Sequence, residues 1–110
     1  MNNIKYSHRA ILDLKEIKEY IILELCDEFI AKETILKITD RIKQLEYFSK
    51  VGPLLSNKIA VNIPIRYLIC GNYIVFYKID SENVIIYRII HSRRDYMQII
   101  FDDLLEEIKL

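Results

Sequence analysis

Ile65-Arg66-Tyr67-Leu68-Ile69-Cys70-Gly71-Asn72-Tyr73-Ile74-Val75-Phe76-Tyr77-Lys78-Ile79 is the stretch that decides the fold. Ile65–Cys70 and Tyr73–Ile79 are rich in Ile, Val, Tyr and Phe, as a half-buried pleated surface requires. Gly71-Asn72 between them is a tight-turn pair, so the two runs form a hairpin. Asp80-Ser81-Glu82-Asn83 makes a second turn, and Val84–Ile90 returns as a third strand of the same composition. Pro64 limits the first of these strands, because proline has no N–H to give to a ladder.

Upstream of the hairpin the apolar period changes from two to between three and four. Ala10, Leu14, Ile17, Ile21 and Leu25 predict an amphipathic helix, with Ser7 placed to cap it. Asp27 caps a second helix, in which Ala31, Ile35, Ile38, Ile42 and Leu45 repeat the stripe to about Tyr47. The joining turn is short, so the helices form an antiparallel hairpin. Ile4-Lys5-Tyr6 reads as a short first strand, and residues 48–58, with Gly52-Pro53, Ser56 and Asn57, as a surface loop. After the last strand, Ser92 and Asp95 resemble a capping pair. Met97, Ile100, Phe101, Leu104, Leu105 and Ile108 then form the stripe of a terminal helix. The expected architecture is α+β, order β-α-α-β-β-β-α: a helical hairpin packed on a mainly antiparallel four-stranded sheet.

The 110 residues suit one domain over 1–110, and an apolar fraction of 52% is ample for its core. Sixteen basic and sixteen acidic residues cancel. A protein that grips nucleic acid with its whole surface is usually basic, so any phosphate contact here must come from a local patch. The N-terminus carries no export signal and no apolar run is long enough for a membrane span, so a cytoplasmic protein is expected. Cys26 and Cys70 have no metal or disulfide spacing, and the two His lie far apart. Neither a metal site nor a cofactor is expected.

The charges are uneven in one place: Arg88, His91, Arg93 and Arg94 precede Asp102, Asp103, Glu106 and Glu107. His91 is the best general-base candidate in the chain, because imidazole titrates near neutrality. A lone His at a strand end is nevertheless more often a hydrogen-bonded junction residue. Arg66 and Arg88 could be partners of Asp95 or of a helix carboxylate as readily as contacts to a target. Arg93 and Arg94 at a helix start oppose the helix dipole, with Asp95 as the simplest partner. Tyr73, Tyr77 and Tyr87 on neighbouring strands suit cross-strand packing better than base stacking.

Arg66–Tyr77, followed by Tyr87-Arg88-Ile89-Ile90-His91-Ser92-Arg93-Arg94-Asp95-Tyr96, resembles the RelE/ParE superfamily of bacterial toxins. The shared pattern is an Arg opening the second strand, a turn, Tyr-x-hydrophobic-x-Tyr, and a His-Gly-x-Arg-Asp-like junction, with Ser92 here in place of Gly. Ser7–Leu14 is similar to the family's opening helix, and Leu45–Gly52 to its Phe-Pro-x-x-Gly loop, with Ser49 replacing Pro. The resemblance implies the toxin of a type II toxin–antitoxin pair, a growth inhibitor of the plasmid-stabilisation kind, neutralised by a cognate antitoxin.

The family divides by target. RelE-like members are ribosome-dependent endoribonucleases that cut mRNA, which needs cations for the phosphorane charge and a general base. ParE-like members inhibit DNA gyrase. By alignment on the hairpin, the ribonuclease Arg of the third strand falls on Ile74, the preceding strand carries Tyr67 and Ile69 where bases are typical, and the terminal aromatic acid/base falls near Ile100. The resemblance therefore favours a ParE-like gyrase inhibitor that contacts its target through Arg88, His91, Arg93, Arg94 and Tyr96. The alternative is an mRNA endoribonuclease with Arg66, Arg88, His91 and Arg94 as catalytic candidates, and a third is a member that binds antitoxin without toxicity.

Overall fold

The computed structural model describes residues 1–57 and 64–108. Its elements are β1 (Asn3–Tyr6), α1 (His8–Leu25), α2 (Glu28–Lys43), β2 (Arg66–Cys70), β3 (Tyr73–Asp80), β4 (Asn83–His91) and α3 (Tyr96–Ile108), with short 3-10 turns at Gln44–Glu46 and Leu55–Asn57. The sheet order is β1-β4-β3-β2, so β4 and β3 share the centre. β1 runs parallel to β4, and the other two pairings are antiparallel. This is the α+β order that the sequence implies.

Both helix starts rest on the expected caps. Ser7 accepts the Ala10 N–H at 3.0 Å, and one Asp27 oxygen accepts the N–H groups of Phe29 and Ile30. These bonds satisfy donors that a helix start leaves open. Cys26 turns the chain between the helices in the left-handed region at φ 51°. Ala10, Ile38, Ile42 and Leu45 of the hairpin then bury against Leu68, Val75, Tyr77 and Ile86 of the sheet. Each fully buried Ile or Leu contributes about 1.5–3 kcal/mol relative to exposure. The opposite face is covered by α3: Ile100, with Leu55 and Ile65, packs on Ile74, Phe76 and Ile90.

A bulge lets β4 serve both layers. Tyr77 pairs with Ile86 but Phe76 pairs with Arg88, so Tyr87 is an extra residue. One inserted residue reverses which face each later side chain meets. Val84 and Ile86 before the bulge join the hairpin-side core, and Ile89 after it does too, although the parity differs.

Four local expectations change. α2 ends at Lys43, and the approach to Tyr47 tightens into a 3-10 turn. Asp95, not Ser92, stands before the terminal helix and accepts the Gln98 N–H at 3.2 Å, so Arg93 and Arg94 lie in the preceding turn. Leu25, counted in the α1 stripe, is 57% exposed, because it lies at the hairpin tip beyond the sheet. The 48–58 loop is not all surface: Gly52 and Leu55 are buried. Lys58 and the side chain of Ile108 lie outside the described residues.

Gly52 has a steric reason to be glycine. Its N–H donates to the Tyr77 hydroxyl at 3.0 Å, and that hydroxyl donates to the Ser49 carbonyl at 2.7 Å. A Cβ at Gly52 would collide with the Tyr67 carbonyl oxygen and come within 2.6 Å of the Tyr77 oxygen. Burial pushes the Tyr77 pKa up, against smaller opposing effects of the Gly52 hydrogen bond and the Arg66 and Arg41 charges. The phenol therefore stays a donor at neutral pH. Gly52→Ala is expected to destabilise the protein by about 1–3 kcal/mol, as overpacking does; urea denaturation with an unchanged midpoint would refute the clash.

Candidate interaction site

β1 pairs with β4 only as far as Tyr6 and Ile86, after which Ser7 turns the chain into α1. Beyond that point Asp13 of α1 takes over the edge. Its Oδ2 accepts the Ile89 N–H at 2.9 Å. The same carboxylate binds Arg88 through two bonds, Nε to Oδ2 at 2.8 Å and Nη2 to Oδ1 at 3.1 Å. Arg88 Nη1 reaches Asp103 of α3 at 2.6 Å. One guanidinium thus ties α1, β4 and α3 together across the sheet edge, using the bidentate fork that arginine alone supplies.

Arg88 is 2% exposed and Asp13 3%. Burial works against the Arg88 charge, but the hydrogen bonds to Asp13 and Asp103, and their charges, outweigh it and raise its pKa above the ordinary value. The expectation that Arg88 contacts a target is therefore corrected: its side chain has no surface to offer, and the helix-carboxylate reading holds. The missed partner was legible as an oddity. Asp13 is a lone carboxylate three residues after Ala10 on the inward stripe of α1.

Arg66, a catalytic candidate, is spent on the loop. Its Nη1 donates to the Gly52 carbonyl at 2.8 Å and the Lys50 carbonyl at 3.4 Å. Tyr96, expected in target contact, is half-buried and packs its ring 5.8 Å from that of Phe76. Both residues serve structure first.

The remaining three candidates do meet. His91, Arg93 and Arg94 line a cleft of about 540 Å³ between α1 and the end of β4, with Glu16, Tyr20 and Tyr73 also on its walls. Arg93 and Arg94 are exposed, and neither forms an ion pair among the described residues. Asp95, their expected partner, caps α3 instead. His91 Nδ1 accepts the Arg93 N–H at 3.0 Å, and its ring meets Tyr73 edge-on at 5.1 Å. A neutral imidazole that accepts at Nδ1 carries its proton on Nε2, so that nitrogen is a donor. Glu16, Tyr20 and Tyr73 were missed as site residues; Tyr20, 61% exposed, follows Asp13 and Glu16 along one face of α1. Among the described residues, no group of three or more His, Cys, Asp or Glu could hold a metal ion.

Residues 4–96 match the ParE toxin of the type II toxin–antitoxin system parDE. The chain belongs to the ParE toxin family. It is also similar in structure to a chain of a chromosomal ParDE toxin–antitoxin system from P. aeruginosa, at a TM-score of 0.69 and 18% identity, covering 83% of this chain and 96% of that one. That likeness shows the fold. No curated protein matches the sequence. As a ParE-like toxin, the chain combines the family's architecture with an apolar sheet face under α3. Ile74 is 6% exposed and Ile100 1%, and both sit in the one cluster that α3 closes. Ile69 on β2 points outward at 60% exposure. No helix among the described residues is long and apolar enough to cross a membrane.

Proposed function

We propose that this ParE-like toxin, one domain over residues 1–110, inhibits DNA gyrase by binding it and is held inactive in the cytoplasm by a cognate antitoxin. The supporting observation is the sealed apolar cluster under α3. Ile74 and Ile100 occupy the positions that the resemblance gives to a catalytic Arg and an acid/base. A phosphorane has no cation there to stabilise it, and loss of such electrostatic stabilisation costs about 100–1000-fold per donor. Two exposed arginines, Arg93 and Arg94, instead stand beside His91 on the cleft, which suits a binding surface.

His91 and Arg94 on one cleft are what favours the second reading, an mRNA endoribonuclease on the ribosome. The two readings separate in paired assays of His91→Ala and Arg94→Ala. Gyrase binding should weaken in steps, since a rim charge is worth about 1 kcal/mol or less. A catalytic base would cost on the order of 100-fold or more when removed. The expected result is inhibition of supercoiling by wild-type protein, with His91→Ala retaining most of it. Cleavage of ribosome-bound mRNA, abolished by His91→Ala, would replace the gyrase reading with the second.

A further inference from the structure

Of the thirteen large apolar side chains exposed among the described residues, eight fall between residues 23 and 51, on α2 and beyond its two ends. Phe29 and Leu36 on α2 are 72% and 59% exposed. They stand seven residues apart, nearly two full turns, and so share one face of the helix. That face is opposite Ala31, Ile38 and Ile42, which are buried. Leu23 and Leu25 are exposed before the start of α2, and Tyr47, Phe48 and Val51 after its end. The charges at the two ends are opposite. Residues 19–31 hold Glu19, Glu24, Asp27 and Glu28 with no Lys or Arg, whereas residues 41–50 hold Arg41, Lys43 and Lys50 against Glu46 alone. None of these groups forms an ion pair among the described residues.

We propose that the chain pairs with a second copy of itself through the outward face of α2, the two helices running antiparallel about a two-fold axis. Charge complementarity selects the occupant and its direction. Antiparallel pairing lays the acidic end of each helix on the basic end of the other, and a two-fold interface makes that contact twice. Parallel pairing would set acid against acid. The helix dipoles favour the same choice, since the positive end of each then lies beside the negative end of its neighbour. With sixteen residues α2 is about 24 Å long, well beyond a Debye length, so the two ends do not cancel within one chain. The apolar area is also of the right order. Phe29, Tyr47 and Phe48 are 67–72% exposed, and aromatic side chains that bury about 150–250 Å² each then bring roughly 300–500 Å² together. That is about half of the roughly 800 Å² per partner in a stable interface, before the leucines and Val51 are added. The pairing does not depend on which target the toxin acts on.

The test is sedimentation equilibrium of the full chain at two salt concentrations. One variant reverses the acidic end, Glu24→Lys with Glu28→Lys, and a second reverses the basic end, Lys43→Glu with Lys50→Glu. All four positions are exposed, so the fold is kept, and circular dichroism melts check it. The expected result is a wild-type dimer that weakens as salt rises, since exposed charges are screened. Each reversed variant alone should dimerise about tenfold more weakly or worse. Mixed in equal amounts the two should pair again, because the reversed acidic end of one then meets the reversed basic end of the other. Phe29→Ala, which leaves the charges alone, should also lose about tenfold or more. A wild-type chain that stays monomeric at about 1 mM overturns the proposal. So does a dimer that neither reversal weakens, or a mixture of the reversed variants that pairs no better than either alone.

Discussion

Arg88→Ala is expected to destabilise the fold by about 3–5 kcal/mol, the range for removing one partner from a buried ion pair. The loss leaves Asp13 buried and charged, with only the Ile89 N–H to satisfy it. It also frees α3 from its link to the sheet edge through Asp103. Arg88→Lys should rescue little, because an ammonium cannot reproduce the fork that holds both carboxylates. Asp103→Asn should cost less than Asp13→Ala, since Asp103 is 29% exposed and part of its charge is solvated. Urea denaturation of the four variants checks the order. A midpoint for Arg88→Ala within experimental error of wild type would show that the clamp adds nothing. The same measurement bears on function. A toxicity loss in Arg88→Ala that tracks its stability loss belongs to the fold, and only a loss in a fully folded variant would return Arg88 to the target surface.

Ile42→Asp should abolish cooperative unfolding altogether. Ile42 has no exposed surface and lies in the core between hairpin and sheet. The substitution combines the loss of a buried aliphatic side chain, about 2–5 kcal/mol, with the burial of an unpaired carboxylate. The sum rivals the roughly 5–15 kcal/mol by which ordinary domains are stable. Ile42→Val, which keeps the site apolar, should cost only about 0.5–1.5 kcal/mol. Leu14→Asp is a milder case, because Leu14 is half-buried and its carboxylate can turn toward water. A cooperative thermal transition in Ile42→Asp would contradict the packing of α2 on the sheet.

The fold was legible where periodicity and local chemistry agree. Ser7 and Asp27 cap as their types predict, and Gly71-Asn72 makes its turn, because each acts within a few residues of itself. The reading weakened where a residue answers to something distant. For Arg88 a helix carboxylate and a target contact stood equally open, since Asp13 lies 75 positions away. Leu25 followed the helical stripe, but the stripe does not say where the sheet stops. Gly52 and Leu55 sat in a polar, turn-rich stretch, and only the sheet they rest on makes them core. Ser92 lost the cap to Asp95 because β4 runs on to His91 and the chain needs the intervening turn. As for the site, His91, Arg93 and Arg94 were found from their charge. The helix wall opposite them, Glu16 and Tyr20, was missed because α1 and the end of β4 are adjacent only in space.

β1 carries a consequence for how the molecule comes into being. Among the described residues Asn3–Tyr6 finds its sole strand neighbour in Asn83–Ile86, and Ser7 donates to the Tyr87 carbonyl, 80 positions later. Local pieces such as the helical hairpin can form while the chain is still emerging, but β1 must wait for β4. Closing so long a loop is entropically costly and slow compared with local pairing. A nascent chain stopped short of Ile86 leaves β1 without a place in the sheet and Asp13 without Arg88. For a ParE-like toxin, this means that fragments ending before β4 lack the finished edge on which the arginine cleft is built.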